Sequence, residues 1–384
     1  MGEWREVKVG DIANLYQGLA INKKTDYLLV EKSTLPLLRI KDLQDNGEEF
    51  FVNDKEAPKK CIANEDDLIF TRTGIVGMVF MGKRGVVHNN CFRIVPRTDE
   101  MYLPFYYHYF NRESMRDYLT NISAGSVQPD MNHTIFKAVQ VPFPPLKEQK
   151  AIAEVLSSLD DKIDLLHRQN KTLEELAQTL FRQWFIEEAK DEWEAGTLED
   201  IMQFNPSHSL KKGELCPFLE MGNVQTFQSS VANWYKREYT SGTKFKKGDT
   251  LLARITPSLE NGKTAYVDFL KDDEIGWGST EFIVMRMKED YHPFISYLIA
   301  RNQDFRDFAI GNMTGSTGRQ RAQAKDIKEY EILIPSTDII KKLNEAIAPI
   351  PIKIKANSKQ IKTLENMRDT LLPKLMSGEV RVYI

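Results

Sequence analysis

Two long stretches of the chain carry apolar residues at alternating steps of four and three positions. The first runs through Ile152, Leu156, Leu159, Ile163, Leu166, Asn170, Leu173, Ala177, Leu180 and Trp184. The second, 191 residues later, runs through Leu343, Ile347, Ile350, Ile354, Asn357, Ile361, Leu364, Arg368, Leu371 and Leu375. This spacing predicts two long helices, each with a narrow apolar stripe that suits another helix as its partner. Because proline disrupts a helix, we expect Pro349 and Pro351 to delay the continuous part of the second helix until near Ile352.

The two helices are natural partners for each other. Two copies of one unit in a chain pack most simply about a pseudo-two-fold axis, which makes their helices antiparallel. A polar residue interrupts both stripes, and Asn170 and Asn357 would then fix the register of the pair. The alternative is that each helix packs only on its own globule. The predicted interface consists of Ile152, Leu156, Leu159, Ile163, Leu166, Asn170, Leu173, Leu180, Ile354, Asn357, Ile361, Leu364 and Leu371.

The repeat extends beyond the helices. "KTLEELAQTL" (171–180) returns as "KTLENMRDTL" (362–371), and "DLIFTR" (67–72) resembles "DTLLAR" (249–254). Further pairs keep the same order at offsets of 181 to 191 residues, as loop insertions in a duplicated unit would produce. We therefore interpret the chain as two copies of one unit.

Short β-like runs with Gly and Asn between them precede each long helix, and one amphipathic helix is expected within each group, near 103–119 and 293–309. The predicted fold class is α+β, with two similar globules separated by a pair of long antiparallel helices. The predicted domains are a first globule at 1–146, a central helix at 147–188, a second globule at 189–335 and a C-terminal helix at 336–384.

Composition adds little to this prediction. The net charge of −3 gives no global electrostatic argument for nucleic acid, although residues 336–384 hold nine Lys and Arg against five Asp and Glu. Three cysteines without a C-x-x-C pair suit a reducing compartment. The charged N-terminus does not resemble a signal peptide, and no run of 18 apolar residues exists, so we expect a cytoplasmic protein outside the membrane.

The sequence contains one formal match to a catalytic motif. Asp130, Glu148 and Lys150 fit the P-D…E-x-K pattern of metal-dependent nucleases, which would make the chain a stand-alone Mg²⁺-dependent enzyme. However, Glu148 opens the long helix, where an acidic side chain favours the helix dipole. No nucleotide-binding glycine loop, zinc spacing or nucleophile motif is present. We therefore expect no metal, no cofactor and no catalysis.

Two glycine-containing loops in each globule are candidates for contact with nucleic acid. Arginine can read guanine, Asn and Gln can read adenine, and hydroxyl groups suit phosphates. The same composition is also found in ordinary turns. The candidate residues are Arg72, Thr73, Ser126, Gln128, Asn132, Arg254, Thr256, Ser316, Thr317, Arg319, Gln320 and Arg321.

The layout resembles the specificity subunits of Type I restriction-modification systems. The resemblance rests on "VPFPPLKEQKAIAEVLSSLDDKID" (141–164), "QTLFRQWF" (178–185), "LLPKLMSGEV" (371–380) and the opening "EWREVKVGDI" (3–12). One departure is "IPSTDIIKKL" (334–343), which lacks the Pro-Leu-x-x-Gln entry to the second helix.

This resemblance implies a non-catalytic subunit with two target-recognition domains, each reading half of a split site in double-stranded DNA. It further implies docking of two modification (methyltransferase) subunits, which bind S-adenosylmethionine, on the helices. Restriction subunits would join through the modification subunits. The other possibilities are the nuclease above and a helical scaffold that binds no DNA.

Overall fold

The computed structural model describes residues 4–123, 129–190, 193–316 and 318–382. It consists of two compact units. Unit 1 comprises the chain up to Lys162 together with the residues from Leu364 onward, and unit 2 runs from Ile163 to Thr363. Each unit thus contains a globule and parts of both long helices.

Unit 1 combines short strands with short helices and its parts of the long helices. Its strands are β1 (Arg5–Lys8), β2 (Ala13–Gln17), β3 (Leu29–Val30), β4 (Leu37–Leu38), β5 (Phe51–Val52), β6 (Ile62–Ala63), β7 (Leu68–Thr71), β8 (Val79–Phe80), β9 (Gly85–Val87), β10 (Cys91–Pro96) and β11 (Gln140–Phe143). Its short helices are α1 (Val9–Ile12), α2 (Ile40–Asp45), α3 (Leu103–Asn111), α4 (Glu113–Ile122) and α5 (His133–Ala138). The first long helix, α6, spans Leu146–Arg182 and continues as one π-helical turn, Gln183–Glu187.

Unit 2 repeats this composition. Its strands are β12 (Glu194–Thr197), β13 (Met202–Phe204), β14 (Leu215–Leu219), β15 (Tyr235–Glu238), β16 (Thr243–Lys246), β17 (Thr250–Ala253), β18 (Thr264–Tyr266), β19 (Ile275–Gly278), β20 (Phe282–Met287) and β21 (Glu331–Ile334). Its short helices are α7 (Leu198–Ile201), α8 (Ile295–Arg301), α9 (Gln303–Gly311), α10 (Ala324–Ile327) and α11 (Thr337–Ile347). The second long helix, α12, spans Pro349–Ser377.

The sheets of the two units have matching topologies. The main sheet is ordered β2-β10-β7-β8 in unit 1 and β13-β20-β17-β18 in unit 2, and β1-β11 corresponds to β12-β21. In each unit a further parallel pair is present, with Leu38 opposite Val87 and Leu219 opposite Gly278. The α+β fold and the internal repeat predicted from the sequence are confirmed.

The single helix predicted within each globule is wrong, because both are broken in the middle. The chain turns to an extended conformation at Arg112 (ψ 137°) between α3 and α4, and at Asn302 (ψ 136°) between α8 and α9. At the second break, Asn302 Oδ1 accepts a hydrogen bond from Phe305 N at 3.1 Å and caps α9. This cap stabilises a new helix start within a continuous amphipathic pattern.

The expected start of the second long helix is also wrong. Helix α12 begins at Pro349, three residues before Ile352, and only Ala348 separates it from α11. Pro349 and Pro351 lie in the first turn, where backbone N–H groups have no acceptor within the helix. The two prolines therefore remove no helical hydrogen bond and start the helix instead of breaking it.

The long helices are antiparallel in each unit. In unit 1, Ile152 and Leu156 of α6 share a core cluster with Leu375 of α12, and Asp160 Oδ1 accepts from Arg368 Nη1 at 3.0 Å. In unit 2, Asn357 Nδ2 donates to Asn170 Oδ1 at 2.8 Å. Asn357 is 1% exposed, so the hydrogen bond between the two asparagines is made inside the helix pair.

The buried side chain of His108 in α3 is expected to make the stability of unit 1 depend on pH. Its buried ring lies 3.1 Å from Ser157 Oγ and 3.7 Å from Asp160 Oδ2, and burial lowers its pKa, with Asp160 opposing and Arg368 adding to the effect. Because the folded pKa lies below the unfolded value of about 6.5, the unfolded state binds more protons below that pH. Stability should therefore be greatest above pH 6.5 and fall as the pH decreases.

We expect urea unfolding to show a lower free energy at pH 5.5 than at pH 7.5, and a smaller difference for His108→Gln. Burial also lowers the pKa of His88, His133, His208 and His292, so the variant should keep part of the slope. An unchanged difference in His108→Gln would contradict the assignment to His108.

Candidate nucleic-acid interface

Arg72 follows β7, an inner strand of the main sheet of unit 1, and two side chains hold it. Its Nε and Nη2 donate to the two carboxylate oxygens of Asp130 at 3.0 and 2.6 Å. Its Nη1 donates to Gln17 Oε1 at 3.3 Å, and Gln17 Nε2 in turn donates to the carbonyl of Asn89. Each guanidinium nitrogen thus has an intramolecular acceptor, and a planar, bidentate pair of this kind fixes the side chain firmly.

The neighbouring residues of unit 1 have mixed roles. Asn132 Oδ1 accepts from Ile135 N at 2.9 Å, so its side chain caps α5 and is not free to read a base. Thr73 Oγ1 and His133 Nε2 are buried and lack a hydrogen-bond partner among the described residues. Buried polar atoms nearly always have a hydrogen-bond partner, so these two atoms beside Arg72 are available to bind a further polar group.

In unit 2, one carboxylate holds two of the predicted arginines. Glu281 accepts from Arg321 Nη2 at 2.7 Å and from Arg321 Nε at 3.0 Å, while Arg254 Nε lies 3.4 Å from Glu281 Oε2. These contacts, with those to Arg321 first, lower the pKa of Glu281, so its carboxylate is charged at neutral pH. Arg321 also donates from Nη1 to the Arg319 carbonyl at 3.2 Å.

Arg319 is the predicted arginine that the structure leaves exposed without a side-chain partner among the described residues. Its backbone is fixed, because its N–H donates to the carbonyl of Ser316 at 2.9 Å. Thr256 N donates to the carbonyl of Gln320 at 3.1 Å, which joins the two predicted loops of unit 2. Ser316 is exposed on the same loop.

The two loop pairs occupy matching places in the repeat. Met131 N donates to the carbonyl of Arg72 at 2.9 Å, and Ala322 N donates to that of Arg254 at 2.8 Å, 191 and 182 residues later along the chain. Asp130 of unit 1 therefore corresponds to Arg321 of unit 2, an exchange of charge on a common backbone frame. The structure brings together Arg72 and Thr73 with the Asp130 loop, and Arg254 and Thr256 with the loop of Arg319, Gln320 and Arg321. Ser126, Gln128 and Thr317 lie outside the described residues.

The predictions from the sequence missed Gln17 and Glu281, which orient the arginines. Neither has a motif of its own, and each is far in sequence from its arginine. The repeat offered one signal, because Glu281 stands 191 residues after Asn90, whose carbonyl accepts from Arg72 N just as the carbonyl of Glu281 accepts from Arg254 N.

The formal nuclease residues of unit 1 have separate partners. Asp130 is paired with Arg72, whereas the buried Glu148 accepts from Trp4 Nε1 at 2.8 Å and from Arg381 Nη1 at 3.1 Å. Lys150 lies over the ring of Tyr102, 5.8 Å from its centroid. Within the described ranges no group of three or more His, Cys, Asp or Glu is placed to hold a metal ion.

None of the helices within the described ranges combines the length and apolar character needed to cross a bilayer.

Comparisons with known proteins agree with this architecture. The model of the type I restriction modification DNA specificity domain matches residues 1–175 and again 190–366. The MjaIX specificity subunit, from a type I restriction enzyme of Methanocaldococcus jannaschii, is 28% identical over 99% of this chain and 94% of its own length. The EcoKI specificity subunit of Escherichia coli K12 is 21% identical, with 98% of this chain and 89% of the relative covered.

A solved structure shares the fold. The crystal structure of a type I restriction-modification S subunit from M. genitalium has a TM-score of 0.64 to this chain at 16% identity, covering 97% of this chain and 96% of the other. The double match of the family model follows the two copies of the sequence repeat and covers most of the chain. The chain therefore belongs to the type I restriction-modification DNA specificity family.

Proposed function

We propose that this chain reads a two-part target in double-stranded DNA and directs methyltransferase and restriction subunits to that target. Target recognition is the function of the family. The observation that supports two different half-sites is the exchange of Asp130 for Arg321 at matching places on a common frame. A carboxylate and a guanidinium accept and donate hydrogen bonds respectively, so the common frame holds a different ion pair in each unit, Arg72 with Asp130 and Arg321 with Glu281.

Two modification subunits, which bind S-adenosylmethionine, dock on the long helices, and restriction subunits join through them. The chain itself is non-catalytic and acts in the cytoplasm. The separate engagement of Asp130 and Glu148 by different arginines argues against the nuclease alternative.

Reconstitution tests this proposal. The chain alone should bind no S-adenosylmethionine in calorimetry and cleave no DNA with Mg²⁺, and the complex with its modification subunits should methylate one two-part sequence found by methylome sequencing. Cleavage by the isolated chain would support a nuclease. Absence of DNA contact in the assembled complex would support a scaffold.

Arg319 gives a prediction for unit 2. Because it is exposed on a fixed loop with no side-chain partner among the described residues, Arg319→Ala should relax preference at one half-site only, at a cost of about 1–3 kcal/mol. Arg321→Ala should instead loosen the loop, because the substitution removes the principal hydrogen-bonding partner of Glu281. Binding to targets with single changed bases measures both effects.

Lys325→Ala is the matched control, because Lys325 is an exposed cation on the adjoining helix α10. If Arg319→Ala weakens binding to every sequence alike, Arg319 is a phosphate contact and the prediction is wrong.

A further inference from the structure

A polar pocket of about 330 Å³ opens beside Arg254 in unit 2. The side chains that carry its chemistry are those of Ser207, His208, Thr243, Lys244, Arg254 and Thr280. None of its lining residues, all of which are described, has a carboxylate. A pocket with two fixed cations, hydroxyl groups and no acidic wall suits an anion.

Both cations retain unused donors. Arg254 is bonded only through Nε, at 3.4 Å from Glu281, and neither of its Nη atoms has a hydrogen-bond partner among the described residues. Lys244 Nζ donates to the carbonyl of His208 at 2.9 Å, which leaves the other ammonium protons available. Lys244 is half-buried, and its Nζ lies 5.1 Å from the centroid of the Tyr239 ring. Lys244 is thus held in place, Arg254 has one long contact, and both cations keep unpaired donors.

A buried ion pair fixes the third donor of the pocket. Asp249 accepts from Arg286 Nε and Nη2 at 2.6 and 2.7 Å, and Arg286 Nη2 lies 2.7 Å from His208 Nε2. An arginine can only donate, so Nε2 of His208 is the acceptor and its proton is on Nδ1. Burial, and then the charge of Arg286, lower the pKa of His208, which keeps this neutral tautomer at neutral pH. His208 therefore offers an Nδ1–H that has no partner among the described residues.

The corresponding arginine of unit 1 differs in this respect. Every guanidinium nitrogen of Arg72 already donates to Asp130 or Gln17. The opening beside Arg254 is therefore a property of unit 2 and not of the repeated frame.

We propose that this pocket binds one phosphate of the DNA backbone, at a place where the duplex passes unit 2. The unpaired groups are mainly N–H donors, which match the acceptor oxygens of a phosphate diester, whereas adenine and cytosine edges also present amino donors. Guanine presents the acceptors N7 and O6, and a guanine contact would appear in the test as loss of preference for a single base. The inference rests on the proposed function, since it assumes that unit 2 meets DNA. Arg254 and Lys244 are phosphate contacts, and Asp249 and Arg286 are positioning residues that act through His208.

The test compares Lys244→Gln and Arg254→Gln with Lys236→Gln in the complex with its modification subunits. Lys236 is an exposed cation on β15 that does not line the pocket, so it controls for loss of charge alone. Each phosphate contact contributes about 0.9 to the slope of log K against log salt, or about 3.5-fold in affinity between 50 and 200 mM salt. We expect each pocket variant to lose about one such contact, equally on target and non-target DNA.

A methylphosphonate scan adds a readout that a purely structural role would not change. The scan neutralises one backbone phosphate at a time. At one position this change should weaken DNA binding by the wild type and by Lys236→Gln but leave DNA binding by Lys244→Gln unaffected. If Lys244→Gln and Lys236→Gln behave alike throughout, the pocket proposal is overturned while the proposed function stands. The pocket proposal would also be overturned if the pocket variants lost only their preference for a single base of the target. Absence of DNA binding by the wild-type complex would overturn the proposed function and the pocket together.

Discussion

Replacing Arg286 by methionine is expected to destabilise unit 2 by about 3–5 kcal/mol, because it leaves a buried carboxylate without its cation. The side chain of Asp249 is 0% exposed and makes a bidentate ion pair with Arg286. Urea unfolding at pH 7.5 measures the change in free energy.

The double variant Asp249→Asn/Arg286→Met provides the control. Removing the charge together with its partner should restore part of the lost stability, because no uncompensated charge remains buried. The amide oxygen introduced by this change could still accept the turn hydrogen bond that Asp249 Oδ2 takes from Lys246 N at 2.7 Å. If the single variant lost less than about 1 kcal/mol, a figure typical of exposed pairs, the ion pair would contribute no more than a surface salt bridge.

A seven-residue insertion at matched levels of both helices is expected to change the preferred spacing between half-sites. Contacts within the units show which levels match, since Asn170 lies against Asn357 and Asp160 against Arg368. One heptad inserted after Asn170 and one inserted before Asn357 keep both contacts and the apolar stripe. The added helix is about 10 Å long, close to three base pairs of about 3.4 Å.

Tight binding to the original target should fall by about 100-fold or more, because the second half-site can no longer be engaged together with the first. A longer spacer should restore only part of it, since three base pairs also rotate the duplex by about 100°. Gel shifts over a series of spacer lengths, with modification subunits present, measure the shift. An unchanged preference would show that the helices do not set the spacing.

Insertions after Ala177 and after Arg368 are the matched control. These insertions also keep the apolar stripe in phase. However, if the helix ends stay packed on their own globules, Asn357 and Arg368 move by seven residues relative to Asn170 and Asp160. This variant should lose stability in addition to binding, whereas the first should lose little stability.

The helix pair could be predicted from sequence because its signal is periodic and occurs twice. The same steps of four and three that identify Ile152 and Leu156 place Asn170 and Asn357 in the stripe, and the structure joins these asparagines by a hydrogen bond. The error at Pro349 arose from treating proline as a breaker at a position where it is a helix start. That distinction depends on where the preceding turn ends, which periodicity does not show.

The candidate interface could be predicted only in part. Composition identified Arg72, Arg254 and Arg321, but their carboxylate partners are 58, 27 and 40 residues away in sequence, in segments without a motif. Which arginine is held and which stays exposed is decided by these long-range contacts. For this reason Arg319 and Arg321, two residues apart, carry different predictions.

The composition of unit 1 has a consequence for synthesis of the protein on the ribosome. Its core joins Leu156 to Leu375 and Met376, which are made 219 or more residues later. At about 5–20 residues per second, the first half of the nascent chain waits about 10–45 s for these residues. Unit 2 is continuous from Ile163 to Thr363 and needs nothing translated after it. The globule that begins first is therefore completed last, and until then the apolar stripe of α6 in unit 1 lacks its partner helix.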